Sequence, residues 1–97
     1  MYRNIKQPSG DIDEIIKVFQ TIDDFATMKQ FFDEIFTEPE RHDFALRWQL
    51  MKKLYTEVPQ RKIASELGVS LCKITRGAKI IKNKKSIAHK ILSSQPL

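Results

Sequence analysis

Only one cysteine, Cys72, occurs in the 97 residues. No disulfide can form within the chain, so its cohesion must come from apolar burial and hydrogen bonds. Glycine and proline are also scarce, at three and four residues, which is too little punctuation for a chain of many short strands and tight turns. No apolar run approaches the roughly 20 residues of a membrane span. The opening residues, MYRNIKQPSG, lack the apolar stretch of a secretory signal, and with the lone cysteine this makes a reducing cytoplasm the expected home. Phosphate-loop and nucleophile-elbow patterns are missing too, and no pair of carboxylates has a rationale for acid/base work. His42 and His89 are isolated, without zinc-ligand spacing. The chain is therefore not read as an enzyme, and neither metal nor cofactor is expected.

Acidic residues are scarce in one half only. Residues 1–57 hold eight Lys and Arg against eleven acids, a net of −3, whereas 58–97 hold nine against one, a net of +8. The overall +5 is thus concentrated in the second part, as expected for a surface that meets a phosphate backbone. At this length one domain is expected over residues 9–97, preceded by a flexible arm over 1–8 in which Arg3 and Lys6 could touch phosphate. A core this small gains from burial against a second copy.

Helical periodicity dominates what is present. Ser9 or Asp11 can cap a first helix whose stripe is Ile12, Ile15, Ile16 and Phe19. Capping residues recur over Thr21–Asp24, and Phe25, Met28, Phe31, Phe32, Ile35 and Phe36 mark a second helix. Thr37 and Glu40 form a capping box, with Pro39 tolerated in the first turn. The third helix is expected from Glu40 to about Tyr55. It carries Phe44, Trp48, Met51 and Tyr55 on one stripe and Leu46, Leu50 and Leu54 on another. A helix apolar on so much of its circumference needs cover on several sides, which suits the centre of a dimer. Arg47, inside that segment, needs a partner or an aromatic face.

The most specific pattern lies over about residues 60–82, QRKIASELGVSLCKITRGAKIIK, which reads as two short helices joined by a tight turn. Ile63 and Leu67 share a face, Gly68 permits the left-handed turn, Val69 plugs the angle, and Ile74 with Ile81 supplies the second apolar face. Ser70 is a good cap for the second helix, spanning roughly Leu71 to Lys82. A recognition helix reads bases near its amino end, so Leu71, Cys72, Lys73 and Thr75 are placed nearest the groove. Gln60 and Arg61 at the start of the motif, with Lys62, Arg76, Lys79, Lys82, Lys84 and Lys85, are candidates for DNA phosphates. Cys72 could be a redox sensor in the groove, but a lone cysteine on a helix is more often a small apolar filler. Ser86 can cap a last helix, whose Ile87, Ile91 and Leu92 are expected to fold back on the body. The fold class is therefore all-α, with about six helices.

Gly77 is the odd residue, since glycine within a helix costs on the order of 1 kcal/mol against alanine and usually marks a close approach. Thr37, Pro39-Glu40-Arg41, Arg47, Gln60-Arg61, Glu66-Leu67-Gly68 and above all Ile74-Thr75-Arg76-Gly77 together resemble the bacterial tryptophan repressor family, over about residues 9–93. The resemblance implies an intertwined homodimer with two helix-turn-helix reading heads, and a pocket between core and head built from both chains. It implies that Arg47 and Arg76 sandwich an indole ring, that Arg76 holds the carboxylate, and that Thr37 and the backbone of residues 34–36 line the other side. Gly77 would give the ligand clearance. Two positions depart from the family pattern: Ile80 stands where a serine is expected, and Lys73 where a small hydroxyl residue is expected.

The expected function is a transcriptional repressor that binds a double-stranded DNA operator under control of a small aromatic amino acid such as L-tryptophan as corepressor. No membrane partner is expected. Two alternatives stay open at this point: a ligand-independent DNA-binding regulator on the same scaffold, and a helical protein-interaction adaptor.

Overall fold

The computed structural model describes residues 11–95. The arm over 1–8, with Arg3 and Lys6, and Ser9 as a cap lie outside the described residues. Six helices follow in order: α1 Asp11–Thr21, α2 Phe25–Ile35, α3 Glu38–Tyr55, α4 Gln60–Leu67, α5 Leu71–Lys82 and α6 Ile87–Ser93. The described residues contain no strand, and none of their helices is long and apolar enough to cross a membrane. The chain divides into two compact units, Met1–Arg41 and His42–Leu97, with the division inside α3.

In the first unit Asp24 caps α2 by accepting from the Thr27 amide at 2.9 Å. That bond holds the Asp24 carboxyl below the usual carboxylate range. The capping box expected at Thr37 is present and reciprocal: the Glu40 amide donates to Thr37 Oγ1 at 3.3 Å, and the Thr37 amide donates to Glu40 Oε1 at 2.9 Å. Because the box closes at Thr37, α3 starts at Glu38, two residues before the expected Glu40. Phe19 stacks on Phe32 with ring centroids 5.4 Å apart and meets Phe31 edge-on at 5.7 Å. These phenylalanines are only half-buried, and Phe25 is 81% exposed. The apolar faces of α1 and α2 are therefore formed as expected but remain largely open to solvent in the single chain.

Arg41 holds the end of α2. Its guanidinium donates to the carbonyls of Phe36 and Asp33 and pairs with the Asp33 carboxylate at 3.4 Å. A cation at a helix carboxyl end satisfies carbonyls that the helix leaves unpaired and sits favourably in its dipole.

The second unit has the tighter core. Leu50, Ile63 and Ile74 are fully buried together, and Leu54, Val58, Ala64, Leu67 and Val69 pack around them. Each such isoleucine contributes on the order of 1.5–3 kcal/mol by burial. The last helix contributes less than its sequence promised: Leu92 is buried, but Ile87 and Ile91 are exposed. With seven residues, α6 has a single stripe for the body, and those two fall off it. His89 still ties α6 to the unit, because its Nδ1 lies 2.7 Å from the Ile81 carbonyl and must donate to it. Its ring also meets Tyr55 edge-on at 5.3 Å.

Two chain reversals use left-handed backbone. Gly68 ends α4 at φ 66°, its amide donating to the Ala64 carbonyl at 2.9 Å. Glu57 ends α3 at φ 64°: its amide bonds the Leu54 carbonyl at 3.1 Å, and the next amide, of Val58, reaches the Lys53 carbonyl at 2.9 Å. This is the two-bond Schellman stop, which usually carries glycine in the left-handed position. Side chains pay roughly 1–2 kcal/mol for that conformation. Nothing lies within 4 Å of a Cβ built on Gly68, so Gly68→Ala should lose only the backbone term, about 1 kcal/mol, while Glu57→Gly should gain about 1 kcal/mol. Urea midpoints of the two variants should move in opposite directions; a shared direction would contradict this account.

Candidate functional site

The residues expected to act on a ligand or on DNA converge on α5, and its helical spacing sorts them onto three faces. Ile74, Gly77, Ala78 and Ile81 are buried and fasten the helix to its unit. Leu71, Cys72, Thr75 and Lys79 point outward and, with Arg76, line one recess. Lys73, Arg76, Gly77 and Ile80 face α3 and line a second recess together with Asp43, Leu46, Arg47, Leu50 and Met51 of α3 and Val69 of the turn. Arg76 takes part in both recesses.

Local sequence explains why α5 stands where it does. Ser70 caps it, accepting from the Lys73 amide at 3.3 Å, after the Gly68 reversal has turned the chain. Gly77 then permits a close crossing of α3: an added Cβ would stand 2.9 Å from Leu54 Cδ1 and 3.4 Å from Leu50 Cδ2. The glycine was expected to clear a ligand. Its first geometric consequence is that leucine side chains of α3 seat against α5, and Leu50 with Gly77 also lines the cleft.

The cleft between α3 and α5 has a cavity volume of about 250 Å³, just below the roughly 300–1,000 Å³ of pockets for drug-sized ligands. That suits a molecule of one or two rings. Its lining combines an apolar floor with three cations, Arg47, Lys73 and Arg76, and one carboxylate, Asp43. All four charged side chains belong to exposed residues, and none has an ion pair among the described residues. Arg47 was expected to need a partner within a greasy segment; it instead opens onto this cleft.

The cleft brings together Arg47, Arg76, Gly77 and Ile80 of the expected ligand residues. Thr37 belongs to the other unit, where its hydroxyl is engaged in the α3 capping box. Of the residues placed at the groove, Leu71, Cys72, Thr75 and Lys79 share the outward face, whereas Lys73 lines the cleft. Cys72 is exposed rather than filling a core. Gln60, Arg61, Lys82 and Lys84 are exposed at the start of α4, the end of α5 and the turn after it. Asn83 shapes that turn by accepting from the Lys85 amide at 3.0 Å.

Lys53 and Asp43 were not singled out from sequence, and Glu66 entered only within the Glu66-Leu67-Gly68 run. Lys53 of α3 pairs with Glu66 of α4 at 3.0 Å, and Lys62 reaches the same carboxylate at 3.9 Å. Glu66 is the one acid after residue 57, and that isolation was the available signal. Asp43 has no distinguishing pattern in the sequence, and only the fold brings it to the cleft.

Comparison with known proteins places this sequence among relatives. The family model described as Trp repressor protein matches residues 10–96. Proteins named Trp operon repressor homolog from Xylella fastidiosa strains M23 and Temecula1 are each 40% identical over 65 residues, covering 66% of this chain and 71% of the relative. No solved structure matches significantly.

The Lys53 ammonium, by hydrogen bond first and by charge second, holds the Glu66 carboxyl below its usual range against the opposing effect of burial. A carboxylate with a lowered folded-state pKa contributes stability above the ordinary carboxylate range and loses it as pH falls through the lowered value. Glu66→Gln should therefore reduce stability near neutral pH and flatten the acid limb of the stability curve. Urea midpoints across acidic to neutral pH would check this, and parallel curves for the two proteins would contradict it.

Proposed function

The chain belongs to the Trp repressor family, and from this premise we propose that it is a homodimeric repressor that binds a double-stranded DNA operator under control of a small aromatic carboxylate. The reading rests on one observation above the others: α5 presents an outward polar face and a cationic cleft face, and Arg76 belongs to both. A ligand in the cleft can act on the reading surface through that shared residue and through the seating of α5 on α3.

The outward residues Leu71, Cys72 and Thr75 lie near the amino end of α5, where helix-turn-helix proteins contact base edges. Thr75 can bond an edge or touch a thymine methyl, and Leu71 offers apolar contact. Gln60, Arg61, Lys79, Lys82 and Lys84 supply phosphate contacts that set register. Helix-turn-helix dimers, among which the Trp repressors are counted, read half-sites about 34 Å apart. The open apolar faces of α1, α2 and α3, with Phe25, Phe44 and Trp48 exposed, support a second copy as the missing cover.

In the cleft, Arg47 and Arg76 suit a planar anion, because guanidinium groups stack on aromatic faces and pair with carboxylates. L-tryptophan is the reference effector by family likeness. Occupancy would raise the population of heads set correctly for two successive major grooves, and operator binding would in return tighten the effector.

Calorimetry with L-tryptophan and indole carboxylic acids, paired with operator titrations, tests the reading. At least one should bind and change operator affinity by about 5- to 150-fold, the usual span of allosteric coupling. Silence from the whole panel with operator binding intact would leave a ligand-independent regulator. Arg76→Ala should weaken effector response and DNA binding together. Lys84→Ala should lower the salt slope of operator binding by about one per protomer with little effect on effector binding.

A further inference from the structure

We propose that Glu66 determines how selectively this chain binds DNA, by holding Lys62 back from phosphates and by holding α4 on α3; this rests on the operator-binding reading above and adds to it a residue that contacts no base. The charge pattern raises the question. Residues 58–97 carry nine Lys and Arg and a single acid, Glu66. That acid lies on α4, the helix that begins with the phosphate candidates Gln60 and Arg61. An exposed carboxylate beside a phosphate backbone would repel it.

The surroundings of Glu66 answer that charge from within the protein. One carboxylate oxygen meets the Lys53 ammonium of α3 at 3.0 Å, and the other faces Lys62, one turn earlier on α4, at 3.9 Å. Helical spacing places the pair. Ile63 is fully buried and Leu67 packs beside it, so Lys62 and Glu66, each one position earlier, form a stripe about 100° round from the core stripe. The contact with Lys53 sets that stripe along α3. Arg61 lies about 200° from Ile63 and is exposed. Arg61 is therefore free to meet a phosphate, while its neighbour in sequence is turned toward an acid.

Selectivity follows from the different demands of two binding modes. Non-specific association is carried by phosphate contacts, and each added cation strengthens it and steepens its salt dependence. A specific complex is held in one register by contacts to base edges, so a lysine on the α3 side of α4 helps it only where a phosphate falls within reach. A released Lys62 would thus favour random sequence over operator. The Lys53 contact acts from the other direction, because it keeps α4 at a fixed setting on α3, and loss of that setting weakens the complex that depends on register. Both effects of Glu66 widen the affinity ratio between operator and random sequence, the quantity that matters among many competing sites.

Fluorescence anisotropy of the full chain with a selected operator and with random duplex of equal length, over a series of salt concentrations, tests the proposal. Each variant is checked for folding by its thermal transition. Glu66→Gln should tighten random duplex, steepen its salt slope by about one per protomer, and lower the operator-to-random affinity ratio several-fold. Lys62→Gln added to Glu66→Gln should return the slope to its starting value, and the same change alone should move it far less. Equal tightening of both duplexes by Glu66→Gln, or a Lys62→Gln effect that is the same in both backgrounds, would overturn the proposal while leaving DNA reading in place. Acetylation footprinting of the unaltered protein, read by mass spectrometry, adds a test that needs no variant: operator should protect Lys79, Lys82 and Lys84 and leave Lys62 as reactive as in free protein. Protection of Lys62 would overturn the proposal alone. Failure of the unaltered protein to select any duplex from a random pool would overturn the operator-binding reading and this proposal with it.

Discussion

The close crossing of α5 over α3 is the constraint on which the rest of the second unit depends. Gly77 stands where a Cβ would meet Leu54 Cδ1 at 2.9 Å and Leu50 Cδ2 at 3.4 Å, so the missing side chain lets these two leucines of α3 lie directly against α5. Leu50 is thereby carried into contact with Ile63 and Ile74, and one apolar cluster fastens α3, α4 and α5 at once. The same crossing gives the cleft its floor. A helix held this way cannot tilt without disturbing the wall of the cleft, and packed interfaces of this kind shift between discrete arrangements rather than bending smoothly.

Around that crossing, polar contacts fix direction more than they add stability. Ser70 and Ser86 each satisfy an amide at the start of a helix, His89 reaches back to the Ile81 carbonyl, and Lys53 pairs with Glu66 across α3 and α4. The Lys53–Glu66 pair is partly exposed, with side chains 30% and 39% accessible, so water screens it and its contribution to stability is small. Its geometric effect is larger than its energy, because it holds α4 against α3. The first unit is arranged differently. Its phenylalanines touch one another but leave much of their surface in water, so its apolar faces are shaped for cover that a single chain does not supply.

Sequence patterns carried most of this fold for identifiable reasons. The Thr37–Glu40 box, the Ser70 and Ser86 caps and the Gly68 reversal are local chemistry, readable from residues within four positions of one another, and they set the helix boundaries. The burial of Ile63, Ile74 and Ile81 followed from spacing alone. What could not be read is what depends on separation along the chain. Lys53 and Glu66 lie 13 residues apart, and Asp43 is 33 residues from Arg76, so neither relation leaves a periodic trace. Glu57 escaped notice because a left-handed stop normally announces itself with glycine. Ile87 and Ile91 were overvalued because composition marks an apolar helix without saying how much of it finds a partner.

The candidate site shows the same limit at finer grain. Lys73 and Thr75 are two positions apart and both near the amino end of a recognition helix, yet two residues on an α-helix differ by about 200° in direction. Thr75 joins Leu71, Cys72 and Lys79 on the outward face, while Lys73 falls with Arg76 and Ile80 on the face toward α3. Once that division is made, the cleft is no longer a neutral slot flanked by two arginines. It carries three cations with no ion pair among the described residues, one acid and an apolar wall. The composition of that wall depends on which face of α5 each residue takes, and that is set by the helical turn rather than by closeness in sequence.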